Sequence, residues 1–203
     1  MKFRLPAAVA CLLAIGWCAA LLLVWNQLLA HTYRPANTPG AVAAWPVIDQ
    51  QFDSTGVNIL VFAHPFCPCT RATLAELEDS LQRASPELKV TIVFITAGLS
   101  ADDVDRSATV AAAKQFPRVA LQFDPSADMA KLFGASVSGE VFVFDAAGNR
   151  VFHGGITAGR GHRGHSVSKE AFEQVIRGKY EGAGEFPLFG CRLPQGAEQN
   201  INP

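Results

Sequence analysis

Two cysteines separated by one proline, Cys67-Pro68-Cys69, are the part of this sequence best suited to chemistry. They follow Val57 to Ala63 (VNILVFA), almost wholly apolar, as a strand buried on both faces should be. After them Leu74, Leu77 and Leu81 recur at helical spacing to about Arg83. The pair therefore falls at a strand-to-helix junction, with Cys67 near the N-cap, Pro68 at the first helical position and Cys69 in the first turn. Unpaired amide hydrogens and the positive end of the helix dipole favour a thiolate there, and Arg71 adds a cation to that field. A low-pKa thiol with a second thiol beside it is what thiol–disulfide exchange needs. Cys67, nearest the strand end and the more exposed of the two on this reading, is the expected attacking thiol, and Cys69 resolves the mixed disulfide. A bridge between such close neighbours closes a small ring that Pro68 restricts further, so it is expected to be strained and easily reduced.

Cys191 lies far along the chain, in Phe186-Pro187-Leu188-Phe189-Gly190-Cys191. Three roles stay open for it: an alternative resolver, a third metal ligand, or a buried apolar residue. Between the two cysteine sites runs His153-Gly-Gly-Ile-Thr-Ala-Gly-Arg-Gly-His-Arg-Gly-His165. Gly159, Gly161 and Gly164 satisfy G-x-G-x-x-G, but a dinucleotide turn belongs in an early βαβ unit, and this one follows a hairpin. A loop that needs so many glycines folds closely over something, and the cysteine loop is the obvious candidate. Arg160 or His162 would then sit by the thiols, stabilising a thiolate or moving a proton. The alternative is a solvated, flexible loop.

The same residues suggest a rival chemistry. Cys67 and Cys69 with His162 or His153 make a soft nitrogen–sulfur set suited to Cu(I) or zinc, although Cys-Pro-Cys is tighter than the usual zinc spacing. The preferred reading assigns no metal and no organic cofactor; electrons come from another thiol protein or a membrane carrier. A third reading is a redox-inert binding module.

The elements that must position these residues alternate along the chain. Pro86 ends the helix after the cysteines, and Val90 to Ile95 (VTIVFI) is a second buried strand. Ser100 with Asp103 starts one helix with Val104, Ala108 and Ala111 on its inner face and Pro117 as its stop. Val119 to Phe123 is a third strand, and Asp124-Pro125 caps and opens a helix closing at Gly134. Val141 to Phe144 and Arg150 to His153 flank a hairpin turn over Asp145 to Asn149. Ser168 starts a last helix, with Phe172, Val175 and Ile176 inward and Gly178 past its end. This order argues an α/β fold: a parallel sheet covered on both faces, with a late antiparallel hairpin at its edge.

Composition excludes several classes. The 203 residues carry 17 Lys plus Arg against 18 Asp plus Glu, a net charge of −1, which leaves no polybasic arm for nucleic acid. Hydrophobic content of 49% with 17% charged excludes disorder, and neither glycines nor prolines show a repeat. From Leu5 to Ala30 no residue is charged; as a helix the run spans roughly 39 Å, more than a bilayer core. Lys2 and Arg4 before it keep the N-terminus cytoplasmic, so everything beyond about residue 31 is expected to be exported out of the cytoplasm. A cleaved signal peptide is the rival, but the Ala41-Val42-Ala43 triplet lies well past the apolar run. Cys11 and Cys18 read as apolar filler in a lipid-facing helix. The expected organisation is an anchor over 1–30, a tether over 31–44 and one domain over 45–203.

The strand order, the Cys67/Cys69 pair ahead of a helix, and the late hairpin resemble the thioredoxin-like superfamily. The stretches His64 to Thr70, Gly154 to Thr157 with Arg160-Gly-His162, and Phe189-Gly-Cys191 are similar to bacterial RedB-type membrane-tethered thioredoxin-like proteins. The resemblance implies a central mixed sheet with helices on both faces, an extra α-β unit over about 102–123, and thiol–disulfide exchange with a thiol or disulfide protein partner. Two departures carry consequences. The usual Trp-Cys-x-x-Cys is absent, and the cis-proline before the hairpin aligns with Gly139, so docking beside the thiols differs. His64 and Phe66 stand where a peroxiredoxin signature is expected, which disfavours that peroxidase chemistry.

Overall fold

The computed structural model describes residues 6–38, 40–46, 52–84, 88–117, 119–179 and 184–194. Contacts divide the chain into two units, Met1–Arg34 and Pro35–Pro203. The first is one helix, α1 (Ala7–Tyr33), with a mean hydropathy of 2.6 over its most apolar window and no buried residue. It is long and apolar enough to cross a membrane or to serve as a signal sequence.

The second unit is a mixed α/β sheet with helices packed against it. Its strands are β1 (Val57–Ala63), β2 (Leu88–Ile95), β3 (Val119–Asp124), β4 (Glu140–Phe144), β5 (Arg150–Gly154) and β6 (Gly184–Glu185). They form one mixed sheet in the order β3-β2-β1-β4-β5-β6. β1, β2 and β3 run parallel, β4 lies antiparallel to both β1 and β5, and β6 is parallel to β5. The hairpin thus joins the middle of the sheet through β4 rather than adding an edge. β6, only two residues long, carries no periodicity from which a strand can be read. Helices α2 (Pro68–Leu81), α3 (Ala101–Asp105), α4 (Ala108–Ala113), α5 (Asp128–Phe133) and α6 (Val167–Ile176) complete the unit.

Strand alternation divides the core in two. Ile59, Val61, Ile92, Phe94, Val141 and Val143 face α2, α4 and α6, packing against Leu77, Val110 and Phe172. Leu60, Phe62, Val93, Phe142 and Phe144 face the other way, against Phe133 of α5 and Trp45. Each fully buried side chain of this size contributes about 1.5–3 kcal/mol. Residues 36–38 and 40–44, in the stretch read as a tether, run along this domain, as does Trp45 after them. Val42 donates to the Phe133 carbonyl (3.2 Å), Arg150 to that of Ala43 (3.0 Å), and Trp45 to that of Gly148 (2.8 Å).

Several helix boundaries differ from expectation, each for a local reason. The single helix expected after Ser100 is two, because Ser107 breaks it and caps α4 by accepting the Val110 N–H (3.2 Å). The break resets the helical phase: Thr109, Val110 and Ala113 face inward, while Ala108 and Ala111 are exposed. The Ser100–Asp103 capping box is present as expected. Asp124 does take the first amides of α5, from Asp128 (2.9 Å) and Ala130 (3.2 Å), but Pro125 lies outside the helix and Ala127 is its N-cap. The cap of α6 is Ser166, not Ser168, through the Lys169 N–H (3.1 Å). Pro86 lies outside the described residues.

Candidate functional site

β1 is a central strand, and its carboxyl end delivers the chain into the loop 64–67 and then into α2. Cys67 is the N-cap of α2 and Pro68 its first residue, where a missing amide hydrogen costs nothing. Cys69 follows in the first turn. The loop is tied down from three sides. Cys67 N–H donates to the His64 carbonyl (3.2 Å), the Thr70 hydroxyl to the same carbonyl (2.9 Å), and the Ser107 hydroxyl to that of Pro65 (2.7 Å).

The second wall of the site is the turn before β4. Ser138 is fully buried, and its hydroxyl lies 2.7 Å from that of Thr70 and accepts the His64 N–H at 3.1 Å. Gly139, in the turn before β4, adopts φ +92°, a conformation open to glycine. Its amide donates to the Phe62 carbonyl (2.8 Å), pinning the turn to the end of β1. Buried Glu140 holds the same turn from behind: one carboxylate oxygen accepts the Ser136 and Val137 amides (2.8 and 3.0 Å), and the other meets His153 Nε2 at 2.8 Å.

The third wall is the C-terminal segment. Ser138 N–H donates to the Cys191 carbonyl (2.8 Å), Leu193 N–H to that of Ser136 (2.9 Å), and Val137 bridges Arg192 in antiparallel fashion. The backbones approach so closely that a side chain at Gly190 would overlap the Ser138 carbonyl. This pairing brings Cys191 to the cysteine pair. The sulfurs of Cys67, Cys69 and Cys191 all lie within 4.8 Å of one another, and all three cysteines are free.

The three sulfurs are not equivalent. Cys67 is lowered to about 4, led by a hydrogen bond from the Cys69 thiol and helped by Ser138 and by the Thr70 and Cys69 amides. Burial opposes that shift. The depression thus comes from hydrogen-bond donors in the first turn of α2 and from Ser138 in the turn before β4, while Arg71 is exposed. Cys69 is pushed strongly up, first because its proton is held by the Cys67 sulfur and then by burial. Cys191 is raised by burial of its sulfur and by the Cys67 charge, with Arg160 acting the other way. Burial lowers the half-buried His64 imidazole, against the pull of the Cys67 thiolate.

Cys67 is the more exposed of the pair, at 7% against 4% for Cys69, yet both are buried; among the three, only Cys191 is exposed. The glycine-rich loop does fold over the cysteine loop, with Gly161 facing Pro68. It brings Arg160 rather than His162. Arg160 bonds the Gly190 carbonyl and acts on Cys191, whereas His162 is exposed and makes backbone bonds within its own turn, to Gly159 (3.1 Å) and Ala158 (3.1 Å). His153 is committed to Glu140, so neither histidine joins the cysteines. A metal held here would meet three sulfurs. Sequence reasoning missed Ser138, Thr70 and Glu140, because their roles arise from contacts across the sheet that no spacing encodes.

Comparison with solved structures places the chain by fold. It matches a hypothetical protein, SMc02350, from Sinorhizobium meliloti 1021 at 22% identity and a TM-score of 0.52, covering 80% of this chain and 97% of that one. It matches an uncharacterized conserved protein from Geobacillus kaustophilus at 16% identity and 0.55, covering 83% and 95%. A thioredoxin-like protein solved in its oxidized form superposes at 17% identity and 0.46, covering 72% and 97%. No family profile and no curated relative matches the sequence. What the first two likenesses share with the strand order described above is architecture: a mixed α/β sheet with helices.

Proposed function

We propose that this protein is a thiol–disulfide oxidoreductase that acts outside the cytoplasm, with residues 1–30 anchoring it to a bacterial inner membrane and the domain facing the periplasm. The observation that carries the reading is Cys67, held as a thiolate at the start of α2 with two further thiols within 4.8 Å. The RedB-type resemblance in the three cysteine- and glycine-bearing stretches supports the same assignment. Partners on this reading are thiol or disulfide proteins, with no nucleic acid and no organic cofactor.

The geometry supports a definite order of events. The Cys67 thiolate attacks a partner disulfide, one partner sulfur leaves as thiolate, and a Cys67–partner disulfide forms. Cys69 keeps its proton until then, because its leading restraint is the bond to the Cys67 sulfur. Once that charge is consumed the restraint lapses, and Cys69 can deprotonate and attack Cys67. The second partner sulfur leaves, giving a partner dithiol and an internal disulfide. Cys191 is the alternative resolver, free of the small ring that a Cys67–Cys69 bridge must close. A thiol protein or membrane carrier supplies two electrons to reset the site, or the sequence runs in reverse.

Redox titration of the full chain in detergent, with alkylation and mass mapping, tests this. The expected result is one reversible two-electron couple involving Cys67. In Cys69→Ser/Cys191→Ser a mixed disulfide with a model substrate should accumulate, while each single variant discharges it. Absence of any reversible couple would end the proposal.

A further inference from the structure

A second chemistry follows from the donor set itself. We propose that Cys67, Cys69 and Cys191 together form a binding site for one Cu(I) ion, as a three-sulfur centre without histidine. The three sulfurs lie within 4.8 Å of one another. Metal–sulfur bonds of about 2.3 Å in a trigonal plane set sulfurs about 4.0 Å apart, so closure needs shifts of under about 1 Å. Zinc prefers four ligands, and the group of donor atoms here holds three sulfurs and no imidazole or carboxylate. Soft thiolates with low coordination number select Cu(I).

The surroundings suit such an ion. Two ligands are fixed by the first turn of α2, and the third by the Ser138–Cys191 backbone bond and the Val137–Arg192 bridge. Three thiolates around one Cu(I) leave net negative charge, and Arg160 is placed to offset it. Its guanidinium bonds the Gly190 carbonyl, its charge acts on Cys191, and its buried Nε has no hydrogen-bond partner. Cys191 is the one exposed residue of the three, so its side of the site is the approach open to an incoming ion. Binding expels whatever protons remain on the sulfurs to solvent and moves no electrons. The same sulfurs serve exchange, so a bound ion blocks it and a disulfide excludes the ion.

The proposal is independent of the exchange reading. A protein that cycles disulfides but holds no copper fails here alone, and one that holds copper without a reversible couple fails there alone. The test is anaerobic titration of the reduced full chain in detergent with Cu(I) against a colorimetric Cu(I) chelator. One ion per chain should be retained, with an ultraviolet thiolate-to-copper band and all three thiols protected from alkylation. Cys191→Ser should lose about 100-fold or more in affinity, at least what loss of a supporting outer-shell group costs, and His162→Ala should lose nothing. Copper-edge X-ray absorption on the unmutated protein should find three sulfur neighbours, a readout independent of how the variants fold. Failure to retain Cu(I), unchanged affinity in Cys191→Ser, or a nitrogen ligand in the absorption spectrum each overturns the proposal.

Discussion

Thr70 and Ser138, 68 positions apart in the chain, meet through buried hydroxyls 2.7 Å apart beside the Cys67 sulfur. Each hydroxyl has one hydrogen to give. While Cys67 is protonated, Ser138 can donate to Thr70 and Thr70 to the His64 carbonyl. When Cys67 is a thiolate, Ser138 turns its hydrogen to the sulfur and Thr70 turns to Ser138, leaving the His64 carbonyl with the Cys67 amide. The 2.7 Å contact lets either hydroxyl be the donor, so the pair can reorient as the charge on the sulfur changes.

Ser138→Ala removes the hydroxyl of that pair that bonds the Cys67 sulfur. A hydrogen bond to a charged group is worth about 1.5–3 kcal/mol, so the Cys67 pKa should rise by about 1–2 units from its value near 4. Cys69→Ala should raise it further, since the Cys69 thiol is the leading cause of the depression. Thiolate absorbance against pH measures both; a Cys67 pKa indifferent to Ser138→Ala would refute the hydroxyl-pair account.

The same sulfur makes stability depend on pH. Cys67 has a folded pKa near 4 against an ordinary 9.0, a depressed acid, so its contribution is full above the unfolded value and disappears as pH falls through 4. Between those limits the reduced protein should gain up to about 1.4 kcal/mol per pH unit from this group. Cys69 and Cys191 are raised acids, so their contributions hold below the ordinary thiol range and are lost only at higher pH. Denaturant unfolding of the reduced chain at several pH values should show the rise, and Cys67→Ser should flatten it.

Glu140 acts on the site at one remove. Glu140→Ala strips acceptors from two amides and a partner from His153, all in the interior, and should cost about 3–5 kcal/mol of stability. Glu140→Gln keeps an acceptor for the amides and should recover part of that loss. The Cys67 pKa, read alongside, should rise in Glu140→Ala because the turn bearing Ser138 loosens.

Gly190→Ala sets a methyl group against the Ser138 carbonyl and the Val137 side chain. The C-terminal segment must move, at a cost of about 1–3 kcal/mol, as for other overpacked sites. Cys191 should then alkylate faster while Cys67 and Cys69 still couple. Equal Cys191 reactivity in the two proteins would show that the close approach does not hold it.

How much of this was legible in the sequence depends on the range of the contacts. The strands around Ile59, Ile92 and Val143 announce themselves because local hydrophobicity reports burial on two faces. Cys67 and Cys69 are legible for a similar reason, since strand end, proline and helix start are neighbours in sequence. The Ser107 break was hidden because a serine in a helical pattern can cap or continue, and the tie to the Pro65 carbonyl decides it. Cys191 could be named but not located. Its position depends on a short backbone pairing with 136–138, which leaves no periodic trace.

That pairing also orders the history of each molecule. The ribosome delivers a chain from its N-terminus, so residues 67 and 69 emerge well ahead of 138 and 191. Until the later segments dock, the first two thiols lack the hydroxyl donor and the third sulfur that distinguish them. A newborn chain thus presents the Cys67–Cys69 pair at its helix start first, gains the Ser138 hydroxyl later, and receives its third sulfur only when its last stretch is laid against the turn before β4.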